Sequence, residues 1–121
     1  MKTWVMTGAS SGFGVEWLRE LDRRQEVRWL LLVRSVEATE KMLLAHPLRG
    51  PVDLIRCDLA SFTSVQAAIS DIRTRAGHLD GMINNAGIFP SPDRSETEDG
   101  IEASVAVNAL APHLLFQGLG P

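Results

Sequence analysis

The chain contains no tyrosine, and its only lysines are Lys2 and Lys41. Chemistry that needs a phenol therefore cannot come from these 121 residues. A single cysteine, Cys57, rules out an internal disulfide and fits a reducing compartment. It is expected to be a small buried apolar residue. The longest unbroken apolar run, Trp29 to Val33, is far short of the ~20 residues that cross a bilayer. The brief stretch Trp4 to Met6 behind Lys2 is too short for the core of a secretory signal. A cytoplasmic protein with no membrane span is the expectation. Positive charge is also scarce: 12 Lys and Arg against 15 Asp and Glu leave a net charge of −3. That excludes a basic nucleic-acid module. His46, His78 and His113 show no ligand spacing, so no metal site is expected.

What is present reads as one folded domain. Hydrophobic residues are 45% and charged residues 22% of the chain, near the globular average. Short β-rich runs alternate with longer stretches of helical period, the pattern of βαβ units and a parallel sheet. The spacing predicts a strand over Thr3 to Met6, then a small-residue turn, then a helix with Val15, Leu18 and Leu21 on one face. A second strand, Trp29 to Val33, is apolar throughout, as a strand covered on both faces should be. A short helix, about Val36 to Ala45, stops at His46-Pro47. Gly50-Pro51 precedes a third strand, Val52 to Arg56. Phe62, Val65, Ile69 and Ile72 then mark an amphipathic helix, with Ser61 as N-cap and Gly77 as C′ residue. Leu79 to Asn84 is the fourth strand. A loop over 85–94 follows, and Ser95-Glu96-Thr97-Glu98 has the capping-box spacing to open a last helix that runs to about Gly118. The expected fold is α/β, a doubly wound parallel sheet of about four strands in the order 3-2-1-4 with flanking helices. A sheet of six strands would need more chain than this.

Three loops carry the chemical signal. Gly8, Gly12 and Gly14 fall after the first strand and open the first helix. Glycines there permit positive φ and close backbone approach, and the helix N-terminus favours a pyrophosphate. A tight strand-to-helix turn would want glycine for steric reasons alone. Just past strand two, where a ribose-reading residue is expected, stands Arg34, and Leu31 to Val36 holds no acid. A guanidinium there suits a 2′-phosphate, so NADP is favoured over NAD; the plainer alternative is a solvated surface arginine. Asp58 follows strand three, where by itself it is a turn or cap residue. Asn84-Asn85-Ala86-Gly87 closes strand four at the switch point between strands one and four, with an Asn-Asn turn as the simpler reading.

Taken together, Thr7-Gly8-Ala9-Ser10-Ser11-Gly12-Phe13-Gly14, Asp58-Leu59, Asn84-Asn85-Ala86-Gly87 and Val107-Asn108 resemble the short-chain dehydrogenase/reductase family over nearly the whole chain. Asp58-Leu59-Ala60-Ser61 and Thr97-Glu98-Asp99-Gly100-Ile101-Glu102 are most similar to its retinol-dehydrogenase-like and protochlorophyllide-reductase-like branch. The resemblance implies a Rossmann-like NAD(P)-binding domain. It implies that Gly8, Ser10, Ser11, Gly12, Phe13 and Gly14 hold the cofactor phosphates and that Arg34 reads the 2′-phosphate. Asp58 and Leu59 would contact the adenine, and Asn85, Ala86 and Gly87 would line the cofactor. Asn108 would be the catalytic asparagine that holds a water in the proton relay. Locally, Pro112 lacks the N–H that would bond the Asn108 carbonyl, which leaves either a free carbonyl or a simple proline kink.

The resemblance implies that the family's tyrosine, lysine and serine lie beyond the last helix of this chain; without tyrosine no Tyr-x-x-x-Lys is possible, Lys2 starts strand one, and Lys41 falls in the helix after strand two, far from the switch point. His113 is expected on the surface, on a different helix face from Asn108, and Glu96, Glu98 and Asp99 suit the positive end of the last helix. The expectation is a single domain over 1–121 that carries the cofactor-binding half, lacks the C-terminal catalytic part, and is inactive alone. The implied substrate class is a hydrophobic alcohol, aldehyde or ketone. A non-catalytic NADP(H)-binding or subunit-interaction module, or a degenerate fragment, are the alternatives. The open edge of strand four, Met82 to Asn84, and the apolar last helix, with Ile101, Val105, Val107, Leu110, Leu114 and Leu115, are expected to make the isolated chain marginal or to drive oligomerisation or aggregation.

Overall fold

The computed structural model describes residues 1–9, 13–85 and 106–119. Four parallel strands, β1 (Lys2–Thr7), β2 (Val27–Val33), β3 (Val52–Arg56) and β4 (Gly81–Asn84), form one sheet in the order β3-β2-β1-β4. Helices α1 (Phe13–Arg24), α2 (Val36–Ala45) and α3 (Phe62–Arg75) alternate with them, and a π-helical segment, Ala106–Leu110, continues into α4 (Ala111–Leu119).

Strand periodicity divides the core into two layers. Val5, Leu30, Leu32 and Ile55 point to one face, where Val65, Ile69 and Ile72 of α3 and Ala111 and Leu115 of α4 cover them. Met6, Trp29, Leu31 and Val33 point to the other, where Leu18 of α1 packs and Met42 of α2 lies partly buried. β2 is covered on both faces, and for that reason its sequence is an unbroken apolar run. Trp29 meets Trp4 edge-on, with ring centroids 6.1 Å apart and planes at 70°.

Helix ends follow local chemistry. The Ser35 hydroxyl accepts from the Ala38 N–H at 3.1 Å and caps α2, which stops at His46 ahead of Pro47. Ser61 caps α3 in the same way, through the Ser64 N–H at 3.2 Å. α1 carries Glu16 in its first turn and Arg23 and Arg24 in its last, the arrangement that complements the helix dipole.

Several sequence expectations need correction. β2 begins at Val27, because Arg28 is neutralised inside the ladder by Asp53 at 2.7 Å and also donates to the Arg75 carbonyl at 3.2 Å. β4 begins at Gly81. Asp80, just ahead of it, is tied to β1 by a side chain where a ladder would use a carbonyl: its carboxylate accepts from the Thr3 N–H at 2.9 Å while its own N–H donates to the Thr3 carbonyl at 2.8 Å. Gly77 follows the α3 cap, but among the described residues Gly8 alone has positive φ, so α3 ends on an extended Ala76 and not on a left-handed glycine. The last helix is described only from residue 106, and its capping box over 95–98 lies outside the described residues. Ahead of Pro112 the chain winds as a π turn, whose wider spacing accommodates the missing proline N–H. Asn108, within that turn, has a partner. α4 approaches α3 closely at Gly118, where a Cβ would lie 2.7 Å from Ile69 Cδ1, and the Arg73 guanidinium donates to the Gly118 carbonyl.

Candidate functional site

Parallel registration gathers the C-terminal strand ends on one rim. Thr7 stands opposite Leu32 and Asn84, and Val33 stands opposite Arg56, so the residues that leave the sheet there are Gly8, Arg34, Asp58 and Asn85. Such rims, at the point where strand order reverses, are where open α/β sheets bind ligands.

At the centre of the rim the β1–α1 turn is pinned from two sides. Gly8 has φ 69°, a left-handed conformation that disfavours side chains. Gly14 is buried, and a Cβ there would lie 1.7 Å from the Gly8 carbonyl oxygen and 2.8 Å from Asn85 Nδ2. Only a glycine lets the first turn of α1 sit against that carbonyl. Asn85 then locks the turn to β4: its side-chain amide donates to the Gly8 carbonyl at 3.2 Å, and its backbone N–H donates to Thr7 Oγ1 at 3.1 Å. Sequence reading grouped Thr7, Gly8, Gly14 and Asn85 by motif, and the structure brings them into contact. The clamp through Thr7 Oγ1 escaped it, since its partners lie 78 residues apart.

Toward β3 the rim turns polar. Arg34 is exposed and makes no ion pair with any described residue. Cys57 still belongs to the sheet, donating its N–H to the Val33 carbonyl at 2.8 Å, and its side chain is buried. Burial pushes its thiol up to about 11, only partly offset by the contact with Ser64, so it is an inert core thiol. Asp58 is exposed and over-determined: its N–H donates to Ser64 Oγ at 2.8 Å, its carbonyl accepts from the Ser61 N–H at 3.0 Å, and its Oδ1 accepts from the Ala60 N–H at 2.9 Å. The turn residue anticipated from sequence is therefore there. Leu59 lies partly buried against the α3 layer of the core. Ser64, which carries the contact from α3 into this turn, had no signal in the sequence beyond its place in the first turn of a helix.

Phe13 opens α1, whereas Ser10, Ser11, Gly12, Ala86 and Gly87 lie outside the described residues. Asn108 is exposed in the π turn ahead of α4. His113 is exposed, as anticipated. Two clefts lie away from the rim, one of about 340 Å³ between α1 and Pro47 to Arg49, the other of about 190 Å³ where α3 and α4 end. Among the described residues no helix is long and apolar enough to cross a membrane.

The family model for short chain dehydrogenases matches residues 2–121. The chain is 33% identical over 116 residues to the short-chain dehydrogenase/reductase prx1 of Penicillium roqueforti, covering 96% of this chain and 34% of that protein. It is 34% identical over 117 residues to mouse (Mus musculus) retinol dehydrogenase 11, covering 94% of this chain and 36% of that one, in keeping with the retinol-dehydrogenase-like resemblance. The chain thus spans about a third of the length of the curated relatives it matches. The solved structure of a metagenomic short-chain oxidoreductase in complex with NADP superposes with a TM-score of 0.79 at 27% identity, covering 99% of this chain and 55% of that one. A sheet in the order 3-2-1-4, a glycine turn locked to the end of its fourth strand, and a family match across nearly every residue lead to one conclusion: this chain belongs to the short-chain dehydrogenase family.

Proposed function

We propose that this chain is the NADP(H)-binding half of an oxidoreductase that acts on a hydrophobic alcohol, aldehyde or ketone. The observation that carries the reading is the Gly8–Gly14–Asn85 clamp, where a side chain at residue 14 would fill space that the turn keeps closed to side chains. The residues fit a dinucleotide. Gly8, Ser10, Ser11, Gly12, Phe13 and Gly14 would hold the pyrophosphate, Arg34 the 2′-phosphate, Asp58 and Leu59 the adenine side, and Asn85, Ala86 and Gly87 the segment beneath the nicotinamide ribose. Bound there, the cofactor supplies or accepts a hydride. Asn108 would hold a water for proton transfer.

Exposed Arg34, with no described ion-pair partner and no acid between Leu31 and Val36, supports NADP over NAD. A chain without tyrosine lacks the family's acid/base, so catalysis needs residues that this sequence does not contain, and the 121 residues alone are inactive. The single cysteine is consistent with the cytoplasm. Phe116, 63% exposed on α4, and β4, which among the described strands pairs with β1 alone, support self-association; sedimentation as a lone monomer would contradict it.

The test is a pair of titrations with NADPH and NADH, read by tryptophan fluorescence, on the parent chain and on Arg34→Ala. The loss of a charge-assisted contact should weaken NADPH binding roughly 10- to 100-fold and leave NADH unchanged. Equal effects on both nucleotides would refute the role of Arg34.

A further inference from the structure

We propose that Ser64, in the first turn of α3, is a positioning residue for the adenine side of the cofactor site and acts through the Asp58 carboxylate. The proposal rests on the reading of Asp58 given above. Past Cys57 the chain leaves the sheet, and the next N–H, that of Asp58, has no partner in the ladder. Ser64 Oγ takes it at 2.8 Å. The other bonds that hold Asp58 run to the Ala60 N–H, inside the turn, and to the N–H of Ser61, the α3 N-cap, so neither reaches past the helix end. Ser64 adds a tie from within the first turn of the helix: its own N–H is fixed by the Ser61 cap at 3.2 Å, and the Cys57 thiol rests 4.0 Å from its carbonyl. With Oδ1 committed to the Ala60 N–H, the second carboxylate oxygen has no partner among the described residues. Asp58 is also exposed on the rim. A carboxylate with one oxygen anchored and the other open, on a turn fixed by a hydroxyl from the next helix, is preorganised to accept a hydrogen bond from an exocyclic amine or a ribose hydroxyl.

The experiment is a double-mutant cycle read by binding of NADPH and of adenosine 2′,5′-bisphosphate to the full chain, alongside thermal melts. Ser64→Ala should weaken both ligands roughly 2- to 10-fold, as expected for one lost hydrogen bond. Ser64→Thr, which keeps the hydroxyl, should restore them. In an Asp58→Ala background Ser64→Ala should add less than about a 2-fold effect, since the group it orients is gone. A purely structural serine would lower the melting temperature and weaken both backgrounds alike, and that result overturns the proposal. So does a Ser64→Ala chain that folds and binds like its parent. If Ser64→Ala fails to fold, Ser64→Thr and Ser64→Cys carry the comparison, and a cysteine variant that binds like the parent overturns it, because a thiol is a poor acceptor. A parent chain that binds neither ligand overturns the cofactor reading itself, an outcome separate from the others.

Discussion

Two glycine-to-alanine substitutions in this chain should move stability in opposite directions. At Gly14 a new Cβ would lie 1.7 Å from the Gly8 carbonyl oxygen, a backbone atom that cannot swing aside, and 2.8 Å from Asn85 Nδ2. Overpacking of this kind costs about 1–3 kcal/mol, and a backbone collision places it at the upper end. Alanine recovers about 1 kcal/mol of helix preference in α1. The net loss is about 2 kcal/mol, or a melting temperature lower by roughly 6–12 °C for a domain of this size. At Gly77 the same Cβ meets nothing within 4 Å and φ is not positive. Alanine there restricts the unfolded chain without strain and should stabilise by about 0.4–1 kcal/mol. Thermal melts of the parent and both variants, followed by circular dichroism, read the contrast directly. A Gly14→Ala chain that melts at or above the parent would mean that the β1–α1 turn is not packed as described, and the clamp argument would fall with it.

The Cys57 thiol, pushed up to about 11, should be about one part in a thousand thiolate near pH 8. Alkylation should accordingly be slow in the native chain and fast in denaturant, and rapid native labelling would contradict the buried assignment. Because that group keeps its proton longer in the folded state, stability should fall as pH rises from its ordinary value toward about 11, and Cys57→Ala should flatten this limb of a urea-midpoint profile. Asp80 behaves with the opposite sign: the Thr3 N–H, with a smaller contribution from His78, holds its carboxyl below the ordinary aspartate range. Its contribution is present at neutral pH and lost as the solution is acidified through that lowered value, so Asp80→Asn should lessen the acid dependence of the urea midpoint. An identical acid limb in the variant would refute this.

Much of the sheet was legible because its signals are local. The run Trp29 to Val33 declared a strand covered on both faces, and Ser61, followed by apolar positions three and four apart, declared α3. What sequence reading missed depends on partners far along the chain. Arg28 looks like a strand terminator until Asp53 is seen beside it on β3. Asp22 looks like a surface helix residue, yet it is buried and accepts from Trp29 Nε1 at 3.1 Å and from the Arg49 N–H at 2.7 Å. At the rim, the spacing of Gly8 and Gly14 was visible, but the reason Gly14 must be glycine is the carbonyl of Gly8 and the amide of Asn85, which no spacing reveals. Pro112 signalled a disturbed helix, but a proline alone does not say that the disturbance is the π segment Ala106–Leu110.

The central claim is that the glycine turn, locked by Asn85, is a working dinucleotide cradle. Calorimetric titration of the purified parent chain with NADPH, repeated with Asn85→Ala, tests it most directly. Saturable one-to-one binding by the parent, weakened in Asn85→Ala while the circular dichroism spectrum is retained, is the predicted result. A folded parent chain that takes up no NADPH would contradict it.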